Sequence, residues 1–308
     1  MIRRRIARDF KLPIDFFDDE SWNFYIKLYG KEDLVQKIKE GIDKYYGGED
    51  TRFESEYSKI LDTMMNNIKS TETYKNFITA TLPTSEEQYK NGDVYNQECI
   101  GKEFTSMDLK MGNFQSLLSY SPDMFPGIKI DKESIENTYR SFLEGYCDND
   151  FILWYFMKSK HYRQVLFGNC NPRRQVHLQN YLISLASKMM KAGDRVKCRT
   201  GADEIIFNGA LPDISEIIRK NLGIYVKIET YTLIGWKFIT GSGHYIWAYE
   251  KRFKDKASDF KCIPRLYYAQ VYEAIHGIEP NAQNLDLLVQ VEKEKAYFKD
   301  RLVLCKKP

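Results

Sequence analysis

The chain has 308 residues, 43% of them hydrophobic and 29% charged, which supports a sizeable folded core and excludes a wholly disordered chain. Its formal net charge of +3 is nearly neutral, so gross charge announces no nucleic-acid binder, and no run of about 18 apolar residues is present to cross a membrane. The six cysteines form no Cys-x-x-Cys pair, a pattern that predicts buried single thiols and speaks against a disulfide framework or a zinc site.

The first residues, Met1-Ile-Arg-Arg-Arg-Ile-Ala-Arg-Asp9, are basic but lack the apolar stretch of a secretory signal. The expectation is a cytoplasmic protein, in the host cytoplasm if the chain is viral. Residues 1–90 read as a helical region. Leu34, Val35, Ile38 and Ile42 recur at helical spacing, as do Tyr57, Ile60, Leu61, Met64, Met65 and Ile68. The polar stretch from Leu82 to Asp93 carries Pro and Gly and marks a boundary.

Residues 91–250 change character. A strand ends near Asp108. Asp131 to Leu143 reads as a helix, and the aromatic stretch Phe151 to Phe167 as one buried helix. Asn171-Pro172 opens another, with Asn as N-cap and Pro at the first helical position. Its apolar face is read as Val176, Tyr181, Leu182, Leu185 and Met189. Two strands then span Arg195 to Phe207, joined at Gly201-Ala202. Asp213-Ile-Ser-Glu216 fits a capping box and starts a helix to Leu222. Ile224 to Glu229, Thr232 to Phe238 and His244 to Tyr249 read as consecutive strands. Residues 251–308 read as a basic and helical C-terminal extension, with a helix over Pro264 to Ile275.

Strand, helices, hairpin, helix, strand is the βαββαβ plan. The predicted fold class is α+β, a split βαβ arrangement with an antiparallel, ferredoxin-like sheet. In that plan the first strand lies beside a strand of the central hairpin. The end of the first strand and the hairpin turn then meet, and those places carry Asp108 and Asp203. Two acids at neighbouring strand ends make an oxygen-ligand site for Mg²⁺ or Mn²⁺. A pair of such ions clamps the attacking and leaving oxygens of a phosphoryl displacement. Glu204, next in the hairpin, points to the other face of a regular strand but can join the site at a turn.

These residues carry a resemblance. Asp108-Leu-Lys-Met-Gly-Asn-Phe-Gln-Ser-Leu resembles motif A of palm-domain nucleic-acid polymerases. Thr200-Gly-Ala-Asp203-Glu-Ile-Ile-Phe207 resembles motif C, the acidic hairpin of reverse transcriptases and family B DNA polymerases. Lys160-His-Tyr-Arg-Gln-Val-Leu-Phe167-Gly168 is similar in length to the family B motif in which a helix Lys precedes an aromatic-Gly pair. The resemblance spans Asp108 to Phe207. It implies a palm-like domain, Asp108 and Asp203 as metal ligands, and Lys160 or Arg163 on a nucleoside triphosphate. The chain departs from the pattern in having Asp203-Glu204 where two Asp are usual. It departs again in placing Asn113 where the motif A aromatic is expected, with Phe114 one residue late.

The expected function is therefore a metal-dependent nucleotidyltransferase acting on nucleic acid, with Asp108, Asp203 and Glu204 catalytic. Lys160, Arg163, Arg173 and Arg174 form the basic group for substrate phosphates. Two other classes stay open. One is a non-catalytic nucleic-acid-binding or structural subunit of a larger complex, which the missing second Asp favours. The other is an RNase H-like nuclease, which needs a mixed sheet and a helix-borne third acid.

Overall fold

The computed structural model describes residues 2–14, 16–85, 89–263 and 267–278, with the strand segments 287–291, 294–298 and 303–306. The N-terminal region is helical as the spacing predicts: α1 (Ile2–Asp9), α2 (Asp19–Leu28), α3 (Glu32–Tyr46), α4 (Asp50–Ser70) and α5 (Glu72–Thr79). In α4 the buried residues Phe53, Tyr57, Ile60, Met64 and Ile68 fall on one stripe, three or four apart. Asp18 caps α2 by accepting from the Ser21 amide at 3.1 Å, and the Thr71 hydroxyl accepts from the Tyr74 amide at 3.1 Å to start α5.

There follow β1 (Glu103–Leu109), α6 (Gly112–Tyr120), α7 (Ile135–Glu144), α8 (Asp150–Lys158), α9 (Lys160–Gly168) and α10 (Pro172–Met189). The chain continues through β2 (Val196–Thr200), β3 (Glu204–Asn208), α11 (Ser215–Leu222), β4 (Val226–Ile239) and β5 (Tyr245–Arg252). The last described elements are β6 (Asp259–Lys261), α12 (Tyr268–His276), β7 (Leu287–Val291), β8 (Glu294–Phe298) and β9 (Val303–Lys306). The fold is α+β around an open antiparallel sheet of order β2-β3-β1-β4-β5-β6, with β9 added along β4. β7 and β8 form a separate hairpin.

Side chains alternate across the sheet. Met107, Leu109, Ile205, Phe207, Val226 and Ile228 share a buried cluster with Leu182, Ile183 and Ala186 of α10 and Ile218 of α11. Phe104, Ile206, Tyr231, Leu233 and Tyr249 pack on the opposite side with Val94 and Cys99. A larger aromatic core joins α1–α5 to α6–α9 and reaches Ala269 in α12.

Several expectations change. The aromatic stretch is two helices, not one, broken at Ser159, which has extended backbone and whose hydroxyl accepts from the Tyr162 amide at 2.9 Å. The two strands read over 224–238 are the single strand β4. It pairs with β1 up to Thr232 and with β5 from Thr232 onward, so one long strand serves two neighbours. The C-terminal extension holds α12 but also strands, and β9 joins the sheet; residues 264–266 of the expected helix lie outside the described residues. Val176 is 46% exposed, because Leu178, Leu182, Ile183 and Ala186 form the inward stripe of α10. The expected capping box does not form, because Ile214 rather than Asp213 is the N-cap of α11 and no side chain caps the helix. Asp213 accepts from the Ser215 amide at 2.8 Å, while Glu216 pairs with Lys220 at 2.6 Å. No disulfide joins the six cysteines, and of the thiols expected to be buried Cys147 is half-buried while Cys262 and Cys305 are exposed.

Gly41 shows how tightly α3 meets α8, since a Cβ there would overlap the Phe151 ring. Alanine for a mid-helix glycine normally stabilises by about 0.5–1 kcal/mol. Overpacking against an aromatic ring costs about 1–3 kcal/mol. Gly41→Ala is therefore expected to destabilise, by roughly 1–2 kcal/mol in urea unfolding followed by circular dichroism. A stabilised variant would show that Phe151 does not sit there.

Candidate active site

The strand pairing of β1 builds the site. Asp108 stands directly across from Glu204 of β3 on one side and from Lys227 of β4 on the other. One residue further, the Leu109 amide donates to the Asp203 carbonyl at 2.9 Å. Asp203 occupies the turn before β3, which Gly201 allows with φ of +66°. Its carboxylate lies against the start of α6, where a Cβ on Gly112 would stand 3.2 Å from Oδ2. Glycine is therefore the residue that leaves Asp203 room.

The turn between β1 and α6 is held by Gln115, which is buried. Its Nε2 donates to the carbonyls of Lys110 and Tyr225 at 3.0 Å each, and its Oε1 accepts from the Tyr225 amide at 2.6 Å. Lys110 in turn donates its amide to the Tyr225 carbonyl at 3.0 Å. This clamp ties the segment after Asp108 to the start of β4.

Helix α9 forms the other wall. Lys160, Arg163, Gln164 and Phe167 follow one helical face and line a cleft of about 300 Å³ together with Asp108, Asp203 and Asn113. Lys160 is exposed, and the Arg163 guanidinium donates to the Met157 carbonyl at 2.8 Å. Asp108, Asp203, Lys160 and Arg163, expected from the sequence to share one site, are brought together here.

The remaining predicted residues, Glu204, Arg173 and Arg174, do not line this cleft. Glu204 shares the face of Asp108 rather than pointing away, because it is the directly paired residue. Its carboxylate accepts from Lys251 Nζ at 3.3 Å, and that ammonium lies 4.7 Å from the centre of the Tyr231 ring. Arg173 is exposed on the first turn of α10 and does not line the cleft. Arg174 holds two helices together instead. Its guanidinium lies 5.2 Å from the Phe77 ring and bonds the Ala80 carbonyl, joining α10 to the end of α5. Phe114 is buried among Phe125, Tyr139 and Phe167. Asn113 lines the cleft, and its Oδ1 accepts from Gln179 Nε2 at 2.6 Å. Lys227 and Lys251, both beside the acids, were missed, because only strand register shows that they belong there.

Burial pushes the Asp108 carboxyl up to about 7, helped by the charges of Asp203 and Glu204 and opposed by Lys160 and Lys251. Asp203 is also raised, chiefly by burial and then by Glu204. Among the described residues no group of three or more His, Cys, Asp or Glu side chains is placed to hold a metal ion. The pair Asp108 and Asp203 nonetheless fits a hard cation. Both are half-buried carboxylates at one cleft, both are destabilised as anions, and neither has an ion-pair partner among the described residues. Mg²⁺ is commonly held by one or two carboxylates plus water and substrate oxygens.

A raised carboxyl pKa means that the folded state holds this proton more tightly than the unfolded state does. In EDTA, stability is then expected to fall as pH rises from about 4 to 7, because ionising Asp108 costs folding free energy. Asp108→Asn should flatten that slope and stabilise the protein at pH 8 by roughly 1–4 kcal/mol in urea unfolding. Mn²⁺ should raise the wild-type melting temperature at pH 8 and leave that of Asp108→Asn unchanged. In comparisons with known proteins, no family model, no curated protein and no solved structure matches this chain.

Proposed function

We propose that the chain is a metal-dependent nucleotidyltransferase that moves the nucleoside monophosphate unit of a nucleoside triphosphate onto the 3′ hydroxyl of a nucleic acid, breaking the α–β phosphoanhydride bond and releasing pyrophosphate. The observation that carries this reading is the convergence of two half-buried carboxylates, Asp108 and Asp203, beneath a helix face that presents Lys160 and Arg163. The strand order β2-β3-β1-β4, with α10 and α11 packed on one face, supports the split βαβ, palm-like reading of the sheet.

In this mechanism Asp108 and Asp203 would hold Mg²⁺ or Mn²⁺, which when bound would supply charge neutralisation to the phosphoryl transfer. Lys160 and Arg163 face the same cleft and would bind the phosphates, Lys160 as an accessible point charge and Arg163 as a fixed, partly buried guanidinium. Asn113, whose Oδ1 is held by Gln179, lines the same cleft and would contact a substrate bound there. Lys227 and Lys251 hold down the negative potential of the acid cluster without occupying the cleft.

The second reading is a binding or structural subunit that keeps this fold without turnover. The Glu204–Lys251 pair favours it, since it takes the second hairpin acid into a salt bridge on the sheet face. The RNase H-like alternative gains no support, because all the strand pairs among the described residues are antiparallel. Nucleic acid, a triphosphate and subunits of a larger complex are the proposed partners, and the cytoplasm, or a host cytoplasm, is the proposed location. No described helix is long and apolar enough to cross a membrane.

Labelled-primer extension in Mg²⁺ or Mn²⁺ tests the proposal. Asp108→Asn and Asp203→Asn are each expected to lower the rate by at least about 10³-fold with the fold intact, as loss of preorganised charge stabilisation does. Lys160→Ala is expected to cost about 10- to 100-fold, mostly in KM. Full activity in either carboxylate variant would sink the mechanism. Tight nucleic-acid binding with no extension by the wild type would favour the subunit reading.

A further inference from the structure

Asp9 sits where a carboxylate is doubly unwelcome. It is the last residue of α1, the end at which the helix dipole disfavours an acid, and its side chain is fully buried. Such a group persists only when its partners are fixed. The Tyr155 hydroxyl of α8 donates to Asp9 Oδ2 at 2.9 Å, and Arg8 Nε approaches Oδ1 at 3.4 Å. Phe10 meets the same Tyr155 ring edge-on, with centroids 5.3 Å apart.

The backbone of Asp9 continues the contact. Its carbonyl accepts from Ser159 Oγ at 3.4 Å, and Ser159 is the buried residue that breaks α8 from α9. That same hydroxyl accepts from the Tyr162 amide and so caps α9. Lys160 follows at once. Arg163 reaches back across the break to the Met157 carbonyl. The end of α1 therefore grips the elbow that sets the direction of α9, and that direction aims Lys160 and Arg163 at Asp108 and Asp203.

We propose that Asp9 is a positioning residue for the cleft. Through Tyr155 and Ser159 it locks the α8–α9 elbow and holds the cationic face of α9 over the acid pair. The proposal rests on the nucleotidyl-transfer reading for its functional consequence, which is substrate-phosphate binding rather than the chemical step, because Asp9 itself lines no part of the cleft.

The test compares wild type with Tyr155→Phe, which keeps the ring and removes the hydroxyl, and with Asp9→Asn, which keeps an acceptor and removes the charge. Two readouts are taken. In primer extension, KM for the nucleoside triphosphate is expected to rise about 5- to 10-fold with kcat within about twofold. In hydrogen exchange, the amides from Tyr162 to Leu166 are expected to exchange about tenfold faster while those of β1 keep their wild-type protection. Wild-type KM and wild-type α9 exchange in both variants would overturn the proposal. So would a loss of kcat with KM unchanged, or faster exchange spread evenly over α9 and β1, which is the mark of a merely structural residue. Exchange requires no turnover, so an inactive wild type would refute the functional reading while the elbow lock is still judged by α9 exchange. Should Asp9→Asn fail to fold, Tyr155→Phe decides alone.

Discussion

The placement of β1 between β3 and β4 is the constraint on which the site depends. Backbone hydrogen bonds set its register, and a shift of one residue would turn each β1 side chain to the opposite face. In the observed register Met107 and Leu109 enter the core beneath α10 and α11, while Asp108 emerges between Glu204 and Lys227. Burial of the apolar residues thus fixes the position of the acid. The chain leaves this strand through a turn clamped by Gln115, and the same turn brings Gly112 against Asp203. Core packing and site geometry are one arrangement here.

Charge on that sheet face is divided unevenly. Glu204 is matched by Lys251, and Glu229 by Lys227 and Lys256. Asp108 and Asp203 have no such partner among the described residues and are the carboxylates raised most clearly at the cleft. A protein stabilised only for folding would gain by pairing or removing them. In the proposed function, a cation and an anionic substrate would complete the charge balance of this couple beside the exposed Lys160.

The helical half gives the cleft its second wall. Phe156 and Tyr162 stack at 3.8 Å across the α8–α9 break, and Phe114, Phe125, Tyr139 and Phe167 interlock below it. Aromatic rings of this size fill space in few ways, so the elbow is held by packing as well as by the Ser159 hydroxyl. That rigidity keeps one face of α9 toward the sheet. The N-terminal helices share this core, so they belong to the architecture of the cleft.

The sequence by itself determined most of the local elements and which acids and cations would share one cleft. Periodicity showed the N-terminal helices, Asn171-Pro172 opened α10, and the turn at Gly201 separated β2 from β3. Those signals are local, carried by residues within a few positions of one another. The order of strands and helices also placed Asp108 near Asp203. Tertiary structure decided what depended on partners distant in sequence. Strand register made Glu204 the direct neighbour of Asp108 and brought in Lys227 and Lys251. Packing against Phe77 took Arg174 out of the cleft. A buried serine split the aromatic helix, and two pairing partners fused the predicted strands into β4. Local propensity encodes an element's type, but which face it shows and which charges it meets are set by contacts that exist only once the chain has folded.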